Sequence, residues 1–238
     1  MRSPYGLDII ESCLTCKLRA DKLFCDLPDS SLKAFEAVKY SSAYPKGAVL
    51  FVEGQSPRGI FVLCKGRAKL SVGSSDGKTL ILKIAEPGEV LGLSATVSGK
   101  PYELTAETLD PCQVNFVKRE DFLRFLKEHG EACFRVAEQL SDKYNSACRE
   151  IRSLGLSHSA GEKLAKLLLE WSGGPVEDHR EARLKMALTH EEIAQMIGTS
   201  RETVTRLFAE LKKRQIIQLK GSTLLIRNKG ALRSLATS

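Results

Sequence analysis

The sequence predicts an α+β chain, in which an antiparallel β-roll is followed by a long helix and then by a smaller domain of helices and short strands. Two observations predict this class. Short apolar runs punctuated by glycine fill residues 44–118, and after Asp121 the apolar spacing changes from two residues to about three and a half. We place an amino-terminal segment, the roll, the long helix and the last domain at residues 1–29, 30–125, 126–155 and 156–238.

The composition is that of a folded protein with a normal core. The chain has 238 residues, 42% of them hydrophobic, and this length favours two domains. It has no run of about 18 apolar residues and no signal-peptide pattern, so we expect a cytoplasmic protein without a membrane partner. Seven cysteines are then expected as thiols, metal ligands or buried side chains rather than disulfides. The formal charge of +7 is compatible with a polyanionic partner.

Regular turn signals predict the antiparallel roll. The clearest is Asp76-Gly77, between the apolar runs "KLSV" and "TLILKI", which is typical of a hairpin. The others recur at the spacing expected of short antiparallel strands. They are Gly47, Gly54, Gly66 and Gly88.

The long helix carries an apolar stripe with alternating steps of three and four residues, which is the spacing of a coiled-coil seam. Such a stripe can also pack against its own domain, but its regularity favours a parallel dimer interface. The predicted interface residues are Ala137, Leu140, Tyr144, Ala147, Ile151 and Leu154.

The last domain contains two short helices separated by a tight turn. Thr189 and Glu192 have the spacing of a capping box for the first helix, and Ser200 is a good N-cap for the second. Gly198 lies where the backbone must turn in a left-handed conformation. This pattern predicts a helix-turn-helix, and the apolar runs on either side of Lys220-Gly221-Ser222 predict a β wing behind it.

The outward residues of the second helix have the chemistry of DNA readout. Arg201 and Arg206 can each donate two hydrogen bonds to guanine, Glu202 can accept one from cytosine, and Thr205 is beside them. Hydroxyls near the helix starts can bind phosphates, and a basic run can strengthen binding without reading sequence. The alternative is an ordinary solvated helix face. The hydroxyl residues are Thr189, Ser200 and Thr203, and the basic run is Lys212, Lys213 and Arg214.

At this point the chain resembles the CRP/FNR family of transcription regulators. "TSRETVTR" is similar to the family's recognition helix, and "PKGAVLFVEGQ", "GIFVLCKGRAKL" and "PGEVLGL" are similar to its cyclic-nucleotide-binding-type β-roll. The resemblance implies a homodimer that binds double-stranded DNA at a two-fold symmetric operator, with RNA polymerase as a further partner. The arginine at 201 resembles the CRP version of the readout, which implies half-sites similar to TGTGA.

The resemblance also implies where a cyclic nucleotide would bind, and the sequence argues against one. Tyr102 and Glu103 stand near the positions of the family's phosphate-binding Arg-Ser pair, and no arginine lies between Arg67 and Arg119. Burying a cyclic phosphate without a paired cation is costly. Lys100 lacks the bidentate geometry of arginine and substitutes for it poorly.

FNR-type members bind an oxygen-sensitive [4Fe-4S] cluster through three amino-terminal cysteines and one in the roll. The resemblance places Cys13, Cys16, Cys25 and Cys112 at those positions, which gives the four thiolates that such a cluster needs. The eight residues between Cys16 and Cys25 exceed the FNR gap. The other possibilities are a zinc site, a disulfide switch between Cys13 and Cys16, and a Cys112 that is only a buried side chain.

The remaining cysteines and the histidines show no catalytic pattern. Cys64, Cys133 and Cys148 fall inside strand or helix patterns and are expected to be packing residues. The chain has no dinucleotide fingerprint, P-loop or recognisable catalytic triad, so we do not expect an enzyme. A cyclic-nucleotide-dependent regulator and a signalling subunit without DNA contact are the rival interpretations. The four histidines are expected to be solvated; they are His129, His158, His179 and His190.

Overall fold

A computed structural model describes most of the chain in two compact units, Met1–Asn145 and Ser146–Ser238. Within the ranges it describes, no helix is both long and apolar enough to cross a membrane. The described ranges are residues 4–20, 25–156, 159–172, 182–185, 188–220 and 223–236.

The first unit contains two four-stranded antiparallel sheets, which confirms the predicted roll. Gly77 lies in the loop between the fourth and fifth strands with a φ of 82°, so the expected hairpin is present. The strands are β1 (Lys39–Tyr44), β2 (Val49–Phe51), β3 (Gly59–Lys65), β4 (Ala68–Gly73), β5 (Thr79–Ala85), β6 (Val90–Leu91), β7 (Thr105–Thr108) and β8 (Cys112–Lys118). The strand orders in the two sheets are β1-β8-β3-β6 and β2-β7-β4-β5.

The long helix begins later than residue 126. The backbone of His129 is not helical (φ −128°, ψ 88°), and its amide caps the preceding helix by donating to the Phe125 carbonyl. Residues 126–128 therefore end a separate helix, and the long helix begins at Gly130. The helices of this region are α1 (Asp29–Val38), α2 (Leu93–Ser98), α3 (Arg119–Glu128) and α4 (Gly130–Leu156), with 3-10 turns at Pro4–Gly6 and Lys17–Ala20.

The sheet β1-β8-β3-β6 separates two apolar cores. Leu63 and Val114 point into the core between the two sheets, and we call this side the inner face. Val62 and Val117 point into the other core, which contains residues of α1, α3 and α4, and we call this side the outer face. Strand residues alternate between faces, so position along a strand decides which core a side chain enters.

The second unit is a helical domain with a three-stranded antiparallel sheet of order β10-β11-β9, and it confirms the winged helix-turn-helix class. Strand β9 (Ala182–Lys185) lies in a charged stretch of the chain and pairs with β11 (Thr223–Ile226). Gly221 and Ser222 of the expected wing turn lie outside the described residues. The elements are α5 (Ala160–Trp171), β9 (Ala182–Lys185), α6 (His190–Ile197), α7 (Arg201–Lys213), β10 (Ile217–Lys220), β11 (Thr223–Ile226) and α8 (Lys229–Ala236).

Candidate nucleic-acid interface and thiol cluster

The starts of α6 and α7 are fixed by local hydrogen bonds. Thr189 Oγ1 accepts from the Glu192 amide at 3.2 Å, and Glu192 Oε2 accepts from the Thr189 amide at 2.7 Å, so the expected capping box is present. Ser200 Oγ accepts from the Thr203 amide at 3.2 Å and caps α7. Gly198 between the helices is left-handed, with φ 65° and ψ 47°. These local signals set the direction in which α7 leaves the turn.

Helix α7 has a buried face and an exposed face. Val204, Phe208 and Leu211 are buried in the core of this unit, and Leu207 packs partly against it. All four predicted base-contacting residues are exposed. Within the part of the chain that the structure describes, no ion pair occupies Arg201 or Arg206, so both guanidinium groups are available to a ligand. The exposed four are Arg201, Glu202, Thr205 and Arg206.

The hydroxyl of Thr205 is engaged inside the protein. Thr205 Oγ1 donates to the Arg201 carbonyl at 2.9 Å, and it lies 2.9 Å from His190 Nδ1, which must then be the donor to it. Because the hydroxyl already has two partners within the protein, apolar contact with a thymine methyl suits this exposed side chain better than a hydrogen bond to a base edge.

His190 is half-buried rather than solvated as expected. Its ring stacks on Phe208 with centroids 4.9 Å apart and planes 17° apart. Burial, with smaller contributions from Lys212 and Arg201, lowers the pKa of His190. A neutral imidazole supports the start of α7 without adding charge to the interface.

The predicted phosphate-contacting hydroxyls lie at the starts of the two helices. Thr189 and Ser200 are exposed caps, and Thr203 is half-exposed in the first turn of α7. Unpaired backbone amides at a helix start favour a bound anion. At the other end of α7 the basic run is exposed, and Arg214 is 3.8 Å from Glu210.

Comparison with known proteins identifies both units. Residues 42–129 match the family model for the cyclic nucleotide-binding domain, and residues 162–235 match that for the Crp-like helix-turn-helix domain. The cAMP-activated global transcriptional regulator CRP of Pasteurella multocida is 24% identical over 199 residues, which cover 83% of this chain and 95% of that protein. The chain belongs to the CRP/FNR family of transcription regulators. It is a DNA-binding regulator of that type.

Solved structures show the same fold. FixK2 from Bradyrhizobium japonicum matches with a TM-score of 0.73 at 22% identity, over 84% of this chain and 98% of that one. The c-di-GMP-responsive global regulator CLP of Xanthomonas campestris matches with a TM-score of 0.72 at 17% identity, over 84% and 99%. The CRP/FNR architecture therefore extends across the roll and the helix-turn-helix.

In this CRP/FNR roll, Tyr102 fills part of the inner core. Its ring stacks on Phe51 with centroids 4.2 Å apart, and its hydroxyl donates to the Gly59 carbonyl at 2.8 Å. A side chain on Gly92 would come within 2.7 Å of the ring, so the fit is tight. Glu103 accepts from Ser94 Oγ at 2.6 Å. The position expected for a phosphate-binding arginine is thus occupied by a buried aromatic side chain.

Cys112 lies on the inner face. It is fully buried, and its Sγ donates to the carbonyls of Arg67 at 3.3 Å and Asp110 at 3.2 Å. Burial, with a smaller contribution from the Asp110 charge, raises the pKa of Cys112 to about 11. The thiol is a protonated core side chain at neutral pH.

The amino-terminal segment lies across the outer face of the same sheet. The Gln113 side chain exchanges two hydrogen bonds of 2.7 Å with the backbone of Ile10, and Lys65 Nζ donates to the Asp8 carbonyl. Asn115 Nδ2 lies 3.9 Å from Cys13 Sγ. Gln113 and Asn115 alternate with Cys112 on β8, so the sheet itself separates Cys112 from Cys13.

Cys64 lies on the outer face of the sheet. It is the extra residue of a β-bulge, because Leu63 pairs with Val114 while Lys65 pairs with Gln113. Burial, together with the charges of Cys13, Cys25 and Cys16, raises the pKa of Cys64 to about 12. Cys13 and Cys25 pack against the outer core, whereas Cys112 lies in the inner core, so these amino-terminal thiols and Cys112 are on opposite sides of the sheet.

The residues described by the structure include no group of three His, Cys, Asp or Glu side chains close enough to hold a metal ion. The thiols share a face of the sheet but are not gathered at bonding distances. The sequence analysis expected Cys64 to be a packing residue, and its side chain is buried in the structure. On β8 the polar residues Gln113 and Asn115 alternate with Cys112 and Val114. This alternation in the sequence could have shown that Cys112 faces the core.

The predicted seam of α4 is largely exposed in the single chain. Ala137, Tyr144, Ala147 and Ile151 are exposed, whereas Leu140 is half-buried against the outer core, and the side chain of Leu154 lies outside the described residues. The structure also exposes Phe134, which the sequence analysis did not select. Cys133 and Cys148, which were expected to be packing residues, are both exposed in the single chain.

Proposed function

We propose that this regulator binds a two-fold symmetric operator as a homodimer, with one α7 in the major groove of each half-site. The observation that supports this most is the capped start of α7, where Arg201, Glu202 and Arg206 are exposed together. Two arginines and a glutamate are suited to two guanines and a cytosine, which is compatible with TGTGA-like half-sites.

Base-resolved binding selection on the purified protein tests the readout. Replacing Arg206 by alanine should cost about 1–3 kcal/mol of binding free energy and relax the preference at one base pair. The matched control is Lys213→Ala, because Lys213 is an exposed cation on the same helix. That variant should weaken binding to all sequences and reduce its salt dependence. A selected sequence without the guanines would contradict the proposal.

The homodimer is supported by the exposed apolar stripe on α4. Phe134, Tyr144 and Ile151 are respectively 63%, 71% and 70% exposed, and aromatic and apolar side chains of this size are usually covered in a soluble helix. Sedimentation of the full chain should show a dimer, and Tyr144→Glu should shift it to monomer. Glu128→Lys on α3 is a charge-changing control that should leave the dimer intact.

Two native cysteines can locate the seam. Two seams are possible on α4, and they share Ala137, Tyr144 and Ile151. Cys148 belongs with Phe134 to one of them, and Cys133 belongs with Leu140 to the other. Equivalent seam residues face each other in a parallel coiled coil. Because Leu140 packs on the roll, we expect oxidative cross-linking of the dimer through Cys148. It should disappear in Cys148→Ser and persist in Cys133→Ser.

The signal that we propose is oxygen or redox state, detected by the amino-terminal cysteines. A [4Fe-4S] cluster bound by thiolates would supply oxygen sensitivity, since such clusters are held by four cysteines. Cys13, Cys16 and Cys25 are close together in the chain, and Cys13 and Cys25 both pack on the outer core of the sheet. Cys112 does not fit, because it points into the opposite core. The test is anaerobic purification with iron, sulfide and zinc analysis, followed by DNA binding before and after exposure to air.

A cyclic nucleotide is not our proposed signal, although the relative from Pasteurella multocida is described as cAMP-activated. Tyr102 fills the inner core where the family's arginine is expected, and the side chain supplies no cation. Calorimetric titration with cAMP should therefore show no binding. Saturable binding, or stimulation of DNA binding by cAMP, would favour the rival interpretation.

RNA polymerase is the further partner that we propose, because a DNA-binding regulator of this type acts at promoters. In vitro transcription from a template bearing the selected operator tests it. The transcript level should change when the regulator is added. The change should be smaller with the Arg206→Ala variant at the same concentration, because that variant binds the operator more weakly.

A further inference from the structure

We propose that His190 is a positioning residue for base readout. Its ring N–H holds the side chain of Thr205 so that the threonine methyl group reads one thymine of each half-site. This inference rests on the proposed function, because it names a further determinant of specificity in the same interface.

The contact between the two residues joins the start of α6 to α7. His190 is the first residue of α6, and its Nδ1 lies 2.9 Å from Thr205 Oγ1. Thr205 Oγ1 is also 2.9 Å from the Arg201 carbonyl, which can only accept, so the threonine donates its one proton there. His190 must therefore be the donor to Thr205, and its neutral ring carries the proton on Nδ1.

The histidine ring is itself held in place. It stacks on the buried ring of Phe208, with centroids 4.9 Å apart. The stack and the hydrogen bond together fix Nδ1 as a donor at a defined position beside α7. The ring also lines an open cleft with Thr189, Glu191 and Arg201, so it is next to the predicted base and phosphate contacts.

A threonine within a helix ordinarily divides between two χ1 rotamers, because its hydroxyl can bond a carbonyl of the preceding turn. The two rotamers place the methyl group at different positions. The Nδ1 donor of His190 meets the hydroxyl in only one of them, so it favours that rotamer and fixes the methyl group of Thr205. The exposed side chain then has its hydroxyl engaged inside the protein and its methyl group free for contact with a base.

A fixed methyl group on a recognition helix has one counterpart among the four bases. Thymine alone presents a methyl group in the major groove, and apolar contact distinguishes it from the other bases. Thr205 is about one helical turn from Arg201 and adjacent to Arg206, the two residues proposed to read guanines. The proposed target is therefore a thymine close to those guanines, as TGTGA-like half-sites contain.

Operators with single thymine-to-uracil changes test the assignment, because uracil differs from thymine only by the missing methyl group. The operator is the one returned by binding selection, and each thymine is replaced in turn, symmetrically in both half-sites. For the natural protein we expect one position at which uracil weakens binding by about fourfold per half-site, which is the contribution of one buried methyl group. Thr205→Ser should lose this effect, and Thr205→Val should keep it.

Two variants of His190 separate hydrogen bonding from packing. His190→Phe keeps a ring that can stack on Phe208 and removes the donor, whereas His190→Asn removes the ring and keeps an N–H donor near the place of Nδ1. We expect the uracil effect to be lost in His190→Phe and kept in His190→Asn. A residue that only packs would give the reverse order. Adding Thr205→Val to His190→Phe should restore the effect, because valine has one strongly preferred rotamer in a helix.

The measured quantity is the ratio of the affinities for the thymine and uracil operators within each variant, so a general loss of affinity cancels. A natural protein that binds both operators equally at every thymine would overturn the proposal. So would an unchanged ratio in His190→Phe.

The two proposals can fail separately. If selection returns a symmetric operator with the guanines but no thymine responds to uracil, the proposed half-site stands and the role of His190 falls. If the operator lacks the guanines but the uracil effect follows His190, the role of His190 stands and the TGTGA-like half-site falls.

Discussion

The two faces of the sheet β1-β8-β3-β6 are built from the same strands and both line apolar cores, but the outer face also carries buried polar side chains. On the inner face, Tyr102, Phe51 and Cys112 are buried in one apolar core. On the outer face, the polar side chains of Gln113 and Asn115 are nearly fully buried as well, but they bind the amino-terminal segment and its first cysteine.

This difference separates two buried cysteines of neighbouring strands by the side of the sheet that each one faces. Cys64 and Cys112 are both buried, and burial raises the pKa of both thiols. Cys112 lies in the inner core, whereas the amino-terminal Cys13 and Cys25 pack on the outer one. The face of the sheet, not the degree of burial, separates the two thiols. The following predictions test that separation, starting with the largest expected effect.

On the inner face, Tyr102→Ala should lower the free energy of unfolding by about 3–5 kcal/mol, because it removes a stacked aromatic ring and leaves a cavity. Tyr102→Phe keeps the ring and loses the hydrogen bond to Gly59, so it should cost about 1–2 kcal/mol. Chemical denaturation measures both. Equal stabilities for the two variants would contradict the packing described for this face.

At the edge of the sheet, Lys143 of α4 donates to the carbonyl of Val90 at 2.9 Å. Burial, with a contribution from Lys83, lowers the pKa of Lys143 from 10.5 to about 8, although Glu89 and Glu103 act in the other direction. Below about pH 8 both the folded and the unfolded protein carry the charge, so the folded state bears its full desolvation cost.

The stability of the natural protein relative to Lys143→Met should therefore rise with pH. The folded state releases the proton first, so the gain develops between about pH 8 and 10.5. It should amount to roughly 1–3 kcal/mol. Denaturation of both proteins at several pH values measures it. Parallel pH profiles would show that Lys143 is solvated.

On the outer face, Gln113→Ala removes both hydrogen bonds to Ile10. The segment should open more often by a free energy of about 1–2 kcal/mol, because each lost bond contributes about 1 kcal/mol. Hydrogen exchange at the Ile10 amide measures the opening. Gln55→Ala, at an exposed position of the same unit, is the control and should leave that amide unchanged.

The smallest effect is expected for Cys112→Ser. Serine keeps a donor for the carbonyls of Arg67 and Asp110, so the change should cost about 1 kcal/mol or less. The cost should be the same with and without added Zn²⁺. A cost that grows when zinc is added would mean that Cys112 contributes to the metal site.

Features set by neighbouring residues could be predicted from the sequence. The capping box at Thr189, the left-handed Gly198 and the cap at Ser200 depend on contacts within four residues, and all three are present. The outward set on α7 follows from helical periodicity, because Val204 and Phe208 must face the core. The hairpin at Gly77 is local in the same way.

Features set by pairing between distant segments could not be predicted. The bulge at Cys64 depends on the register of β3 against β8, about fifty residues later in the chain. Strand β9 lies in a charged stretch that becomes a strand only through its pairing with β11. The engagement of Thr205 by His190 also joins two helices, and neither residue alone indicates it.

The bulge makes Cys64 an insertion into an otherwise regular ladder. If residue 64 were excised, Leu63 and Lys65 would become consecutive and would still pair with Val114 and Gln113, with the inner and outer alternation kept. A deletion at this one position would therefore leave both cores with their side chains and the segment with its anchors. The regular pairing of the sheet does not depend on residue 64. The role of its thiol can therefore be tested by deleting the residue as well as by substituting it.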